Sequence, residues 1–213
     1  MSLEKVLEFG ISKNYFKKLQ IKNIDKSCCS LDFEIIDFDK TKDKICKENS
    51  QVPRKSCDGL CLKNSIDFIE FKSLNHFFNK EFKFKLQSNK LNKAESEIIE
   101  EKVKKFNFQK KIRDSIWLLD YIVNHQELQL SNSEQEKFYQ KTPNYFIVKD
   151  NYQPLINIME QFNILANNKH NKLSNRETMD ILIEKELDNI TVVLNKPRLI
   201  DCNDLKKYLE EKK

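Results

Sequence analysis

Short apolar runs alternate with polar, turn-forming residues in the segment SCDGLCLKNSIDFIEFKS at positions 56–73. The runs at 59–62 and 66–71 flank the polar residues 63–65. Polar turn residues between β-branched and aromatic runs are typical of a β-hairpin with a three-residue loop. We therefore predict two paired strands, with Leu62 opposite Ile66.

The same register gathers charged side chains at the open end of the predicted hairpin. It sets Asp58 opposite Glu70, and Lys72 falls on the same face because side chains alternate along a strand. Directly opposed residues hold their Cβ atoms about 5 Å apart, where two like charges destabilise the sheet. A hard cation such as Mg²⁺ takes carboxylate oxygens and would compensate this repulsion. The pattern predicts a metal site in which Lys72 helps to neutralise the acids and to orient or deprotonate a metal-bound water.

An Asp entering one strand, followed by Glu-x-Lys in the next, resembles the signature of the PD-(D/E)XK nuclease superfamily, which has the restriction-endonuclease-like fold. The matching residues are Asp58, Glu70 and Lys72, and Cys57 stands where the family has Pro. The resemblance implies a nuclease that hydrolyses phosphodiester bonds in DNA or RNA with Mg²⁺ or Mn²⁺. It also implies Asp58, Glu70 and the carbonyl oxygen of Phe71 as metal ligands. Lys72 joins the two acids as a catalytic residue.

Glu-x-Lys is a frequent triplet in a chain this rich in lysine and glutamate. It recurs at Glu81/Lys83, Glu100/Lys102, Glu210/Lys212 and Glu211/Lys213. The copy at Glu70 differs because it lies in a predicted strand with Asp58 in register. The alternative interpretation is a solvated hairpin face without catalytic chemistry, since sheets often expose one charged face.

The apolar spacing elsewhere predicts helices and strands on both sides of the hairpin. The predicted elements are a helix over 3–19, a strand over 31–38, a charged loop over 39–56, a long helix over 92–124, a loop over 125–143, a strand over 145–148, a helix over 152–166, a helix capped by Ser174, a strand over 190–194 and a terminal helix capped by Asp201 or Asn203. This order is consistent with the αβββαβ core of the resembled family. We expect one α/β domain over 1–213, with a mixed central sheet built on the hairpin and flanked by helices.

Four basic or amide side chains are candidates for binding nucleic acid. In the resembled family, the helix after Glu-x-Lys often sends a Lys or Gln towards the phosphate, and Gln109 and Lys111 flank the apolar stripe of the long helix here. Arg54 and Lys55 lie in the charged loop that enters the site, where they could bind phosphates through counterion release. Ordinary solvated positions are the alternative for all four.

Composition limits the classes of partner and compartment. A net charge of +5 permits a nucleic-acid partner without requiring one. Two glycines cannot build a glycine-rich phosphate loop. The chain has no apolar run long enough to span a membrane and no signal-peptide core at its start, so we expect a cytoplasmic protein. Protein partners and a homodimer stay open. The alternative function is a non-catalytic nucleic-acid-binding or complex-assembly subunit on the same fold, such as one from a mobile-element or antiphage system.

The six cysteines are at positions 28, 29, 46, 57, 61 and 202. Disulfides rarely persist in a reducing compartment. The spacing lacks the paired Cys-x2-Cys pattern of zinc sites, so buried free thiols are favoured over a zinc or iron–sulfur site. The predicted register places Cys57 and Cys61 on the face opposite the carboxylates.

Overall fold

A computed structural model describes residues 2–25, 27–50, 54–83, 95–150, 175–192 and 194–212. Helices α1 to α9 span Ser2–Ser12, Ile21–Ile24, Phe38–Glu48, Leu74–Lys83, Glu95–Phe106, Phe108–Val123, Asn132–Tyr139, Asn175–Asp188 and Cys202–Glu210. Strands β1 to β6 span Lys18–Gln20, Glu34–Asp37, Gly59–Leu62, Ile66–Lys72, Asn144–Lys149 and Arg198–Asp201. A short 3₁₀ turn covers Gln126–Leu128.

The six strands form one sheet in chain order. Strands β1 to β4 pair antiparallel, whereas β5 and β6 continue the sheet in parallel with β4. The larger apolar core lies on one face and includes residues of α1, α3, α5, α6 and α8. The smaller core on the other face includes residues of α2 and α9. The predicted mixed α/β architecture, with helices flanking a central sheet, is confirmed.

The hairpin of β3 and β4 has the predicted register over residues 59–62, but the pairing ends before Asp58, so the predicted pair of Asp58 with Glu70 is not formed. Leu62 is paired with Ile66, and Leu60 is paired with Phe68. The prediction for Cys57 is wrong, because this residue lies in the larger core, on the same side of the sheet as Phe68. Strand β3 begins only at Gly59, so side-chain alternation does not extend back through the preceding bend.

The predicted loop over 39–56 is wrong in its first half, which forms helix α3. Asp37 caps this helix by accepting a hydrogen bond from the N–H of Lys40 at 3.2 Å. Phe38, Thr41 and Ile45 are fully buried at helical spacing. The charged residues between them conceal this narrow apolar face in the sequence.

The predicted strand over 190–194 is also wrong, because its described residues, 190–192 and 194, lie outside the sheet. Val192 and Leu194 are partly buried and pack against the larger core without joining the sheet. The predicted long helix is divided at Asn107, which has a left-handed backbone with φ 55°. The predicted loop over 125–143 contains α7, which begins with a capping box between Ser131 and Glu134. The terminal helix is capped by Asp201 as predicted.

Several sequence predictions fall on residues that the structure does not describe. The helix over 152–166 and the Ser174 cap lie outside the described residues, as do positions 92–94 of the long helix. Among the helices that are described, none has both the length and the apolar character required to span a bilayer.

A disulfide joins Cys29 to Cys202, so the expectation of free thiols is wrong for this pair. The two residues are separated by 173 positions, and they meet because β6 and α9 return the chain beside the segment that precedes β2. No local spacing could reveal this contact. The remaining four cysteines are buried and free, as predicted.

Gly10 in α1 allows the ring of Phe16 to pack directly against the helix backbone. A Cβ atom at this position would lie 2.1–2.6 Å from three atoms of that buried ring. We expect Gly10→Ala to lower the free energy of unfolding by about 1–3 kcal/mol, because the overlap outweighs the better helix propensity of alanine. Urea denaturation measures this change. Glu8→Ala, at an exposed position of the same helix, is the control and should change stability by less than about 0.5 kcal/mol. Equal stabilities for the two variants would contradict the prediction.

Candidate active site

Two carboxylates and two ammonium groups meet where the hairpin strands approach helix α6. Lys111 Nζ lies 2.5 Å from Glu70 Oε1 and 3.8 Å from Asp58 Oδ1. Lys72 Nζ also pairs with Glu70 Oε1, and it donates a hydrogen bond to the carbonyl oxygen of Phe71 at 2.9 Å. The structure therefore brings together Asp58, Glu70 and Lys72, the three residues predicted as catalytic.

Strand geometry explains why the two acids converge. Glu70 follows Phe68 by two residues on β4, so both side chains face the larger core and helix α6. Asp58 immediately precedes β3, and its Oδ2 accepts a hydrogen bond from the N–H of Phe71 at 2.7 Å. This bond holds the Asp58 carboxylate against the end of β4, beside Glu70.

The Glu70 carboxylate is completely buried, with 0 % exposure. Both ammonium groups contact its Oε1 atom. Its Oε2 atom is buried and has no hydrogen-bond partner among the residues that the structure describes. An unsatisfied buried carboxylate oxygen is costly, and a cation bound at Oε2 would remove that cost.

Burial and the neighbouring charges make Asp58 a weaker acid than an ordinary aspartate. Burial, followed by the negative charge of Glu70, raises the pKa of Asp58 from 3.8 to about 7, although Lys72 and Lys111 act in the opposite direction. For Lys111, burial lowers the pKa, but the charges of Glu70 and Asp58 outweigh burial and raise it above its ordinary value. At neutral pH a proton therefore competes with any cation for Asp58, while Lys111 stays charged.

Of the four residues predicted to bind nucleic acid, Lys111 lies among the carboxylates. Gln109 is on the exposed surface, where its Nε2 donates to Thr191 Oγ1 at 3.0 Å. The guanidinium of Arg54 stacks on Trp117, 3.6 Å from the ring centroid. The side chain of Lys55 is exposed.

Two polar residues of α6, which the sequence reasoning missed, hold the chain that enters the site. Asp114 Oδ2 accepts a hydrogen bond from the N–H of Lys55 at 3.2 Å. Ser115 Oγ accepts one from the N–H of Cys57 at 2.8 Å. Both side chains are buried, and together they fix the segment that leads to Asp58. The sequence feature that could have revealed them is a pair of adjacent polar residues beside the apolar stripe of a predicted helix.

A further ion pair borders the site on the side of β5. Lys149 is in register with Lys72 on the neighbouring parallel strand. Its ammonium pairs with Asp180 of α8. Sequence reasoning also missed this pair, because the carboxylate comes from a helix distant in the chain.

The oxygen atoms at the site are of the kinds that hard cations bind. Asp58 and Glu70 supply carboxylate oxygens and Phe71 supplies a backbone carbonyl oxygen, which are ligands that Mg²⁺ accepts.

The chain matches no protein-family model, no curated protein and no solved structure.

Proposed function

We propose that this protein is a metal-dependent nuclease similar to the PD-(D/E)XK superfamily, hydrolysing phosphodiester bonds in DNA or RNA with Mg²⁺ or Mn²⁺. The observation that carries the proposal is the convergence of Asp58 and Glu70 on the Lys111 ammonium, together with the unsatisfied Glu70 Oε2. The succession of antiparallel β2, β3 and β4, helix α6 and parallel β5 adds support.

Lys111 supplies the positive charge that the two acids require. Its ammonium contacts both carboxylates, as a divalent cation shared between Asp58 and Glu70 would do. Asp58, Glu70 and the Phe71 carbonyl would hold that cation. Lys111 would then be free to donate to a phosphate oxygen of the substrate, a role close to the one that the sequence suggested for it.

Lys72 is the residue that would act on the attacking water. Its side chain is 14 % exposed and is held by Glu70 and by the Phe71 carbonyl, so its ammonium has little freedom to move. It would orient the water by hydrogen bonding and offset charge at the scissile phosphate. When bound, the divalent cation would lower the pKa of that water and polarise the phosphate.

Replacing Lys111 by Met should tighten Mn²⁺ binding about tenfold, equivalent to about 1.4 kcal/mol, because it removes the ammonium that competes for both carboxylates. Electron paramagnetic resonance of free Mn²⁺ measures the change. Lys110→Met, at the exposed neighbouring position of α6, is the matched control and should bind Mn²⁺ as the wild type does. Binding that is weaker in Lys111→Met than in Lys110→Met would contradict the shared site.

Incubation with labelled single-stranded and double-stranded DNA and RNA tests the activity directly. We expect cleavage of at least one substrate on addition of Mg²⁺ or Mn²⁺, and its arrest by EDTA. A protein that binds these substrates in a salt-sensitive manner, is indifferent to Mn²⁺ and cuts none of them would be the non-catalytic binding subunit instead.

A further inference from the structure

Three sulfur atoms meet on the side of the sheet opposite the carboxylates. The Sγ atoms of Cys28, Cys29 and Cys202 all lie within 4.8 Å of one another. Cys29 and Cys202 share the disulfide, and the free thiol of Cys28 lies against it. All three belong to the smaller apolar core and are at most 8 % exposed.

A disulfide needs only two cysteines. The third sulfur atom lies close enough for all three to bind one metal ion. Zinc–sulfur bonds of about 2.3 Å in a tetrahedral site place the sulfur atoms about 3.8 Å apart. Three sulfurs within 4.8 Å of one another can therefore reach a common ion with small side-chain movements. Within the described ranges, no His, Asp, Glu or fourth Cys joins this group, which leaves the fourth position to water.

The surroundings of Cys28 hold its thiol in place. Its Sγ donates to the carbonyl oxygen of Val148 at 3.2 Å, and Cys202 Sγ lies 3.0 Å from the carbonyl oxygen of Cys28. Burial and the negative charges of Asp25 and Asp150 raise the pKa of the Cys28 thiol, whereas the backbone N–H and the charge of Lys72 act in the opposite direction. In the absence of a cation the thiol keeps its proton, and a bound cation would replace that proton.

We propose that Cys28, Cys29 and Cys202 form a site for a thiophilic divalent cation such as Zn²⁺ in the reduced protein. A phosphine reductant and one water break the Cys29–Cys202 bond, giving two thiols and a phosphine oxide. Zn²⁺ then forms three S–Zn bonds and releases the three thiol protons to solvent. The disulfide and the zinc site are alternative states of the same three sulfur atoms, and neither depends on the proposed nuclease activity.

Cobalt titration of the phosphine-reduced full chain tests the site, because Co²⁺ bound by thiolates gives a sulfur-to-cobalt charge-transfer absorption that oxygen ligands do not give. We expect one Co²⁺ per chain with this absorption, and its loss when Zn²⁺ is added. Cys28→Ser and Cys202→Ser should lose it. Cys46→Ser, at a buried free thiol in helix α3, is the matched control and should keep it.

Two results would overturn the proposal. One is a folded, fully reduced wild-type protein without the sulfur-to-cobalt absorption. The other is an equal absorption in Cys28→Ser and Cys46→Ser.

If the serine variants do not fold, native mass spectrometry of the reduced wild type decides the question. One bound Zn²⁺, with Cys28, Cys29 and Cys202 protected from iodoacetamide only when zinc is present, supports the site. A zinc-free chain, or one whose disulfide resists reduction, rejects it.

Discussion

Glu70→Gln is expected to reduce metal-dependent cleavage by about 10³-fold or more while leaving the protein folded. Glutamine keeps the volume of the buried side chain but removes the charge that would bind a divalent cation, and a loss of about 4 kcal/mol of transition-state stabilisation corresponds to this factor. Lys72→Met should have a comparable effect on cleavage, since it removes the ammonium beside Glu70. Cleavage rates at saturating Mn²⁺, with circular dichroism as the test of folding, measure both changes.

The chain provides a matched control in another Glu-x-Lys triplet. Glu100 is exposed on α5, where it pairs with Lys104 one turn away. Glu100→Gln should therefore cleave at the wild-type rate. Undiminished cleavage by both Glu70→Gln and Lys72→Met would reject their assigned roles.

Asp58→Asn is expected to raise the free energy of unfolding of the metal-free protein at pH 8 by up to about 4 kcal/mol. Burial and the Glu70 charge raise the pKa of Asp58 from 3.8 to about 7 in the folded protein. The folded state thus binds this proton more tightly than the unfolded state does. The wild type should lose stability as pH rises from about 4 to about 7, and lose no more from this group above that range. Asparagine removes that loss.

Urea denaturation at pH 5 and pH 8 measures the difference between the two proteins, which should be larger at pH 8. Asp43→Asn, on the exposed face of α3 where the side chain is 73 % exposed, is the control and should leave stability within about 0.5 kcal/mol at both pH values. Saturating Mn²⁺ should stabilise the wild type and leave Asp58→Asn almost unchanged, because binding to the folded state alone raises stability. A variant that is less stable than the wild type at pH 8 without metal would show that Asp58 gains more from the two lysines than it loses by burial.

The hairpin and the shared face of Glu70 and Lys72 could be predicted because both depend on local rules. A short polar turn sets the register of β3 and β4, and the two-residue period then places Glu70 and Lys72 on one face. The prediction for Cys57 failed where that period ends, before Gly59. Helix α3 was missed because its apolar face is narrow and its intervening residues are charged.

The remaining features of the site depend on contacts between distant parts of the chain. Lys111 was predicted on a flank of its helix, but its place between Asp58 and Glu70 follows from how α6 packs on the sheet. The order of strands around β4, the burial that raises the pKa of Asp58, and the meeting of Cys202 with Cys29 likewise arise only when distant parts of the chain pack together. The periodicity of strands and the residues that form turns can be read from neighbouring positions in the sequence. The burial of a side chain and the identity of its ion-pair or disulfide partner depend instead on which distant segments pack together.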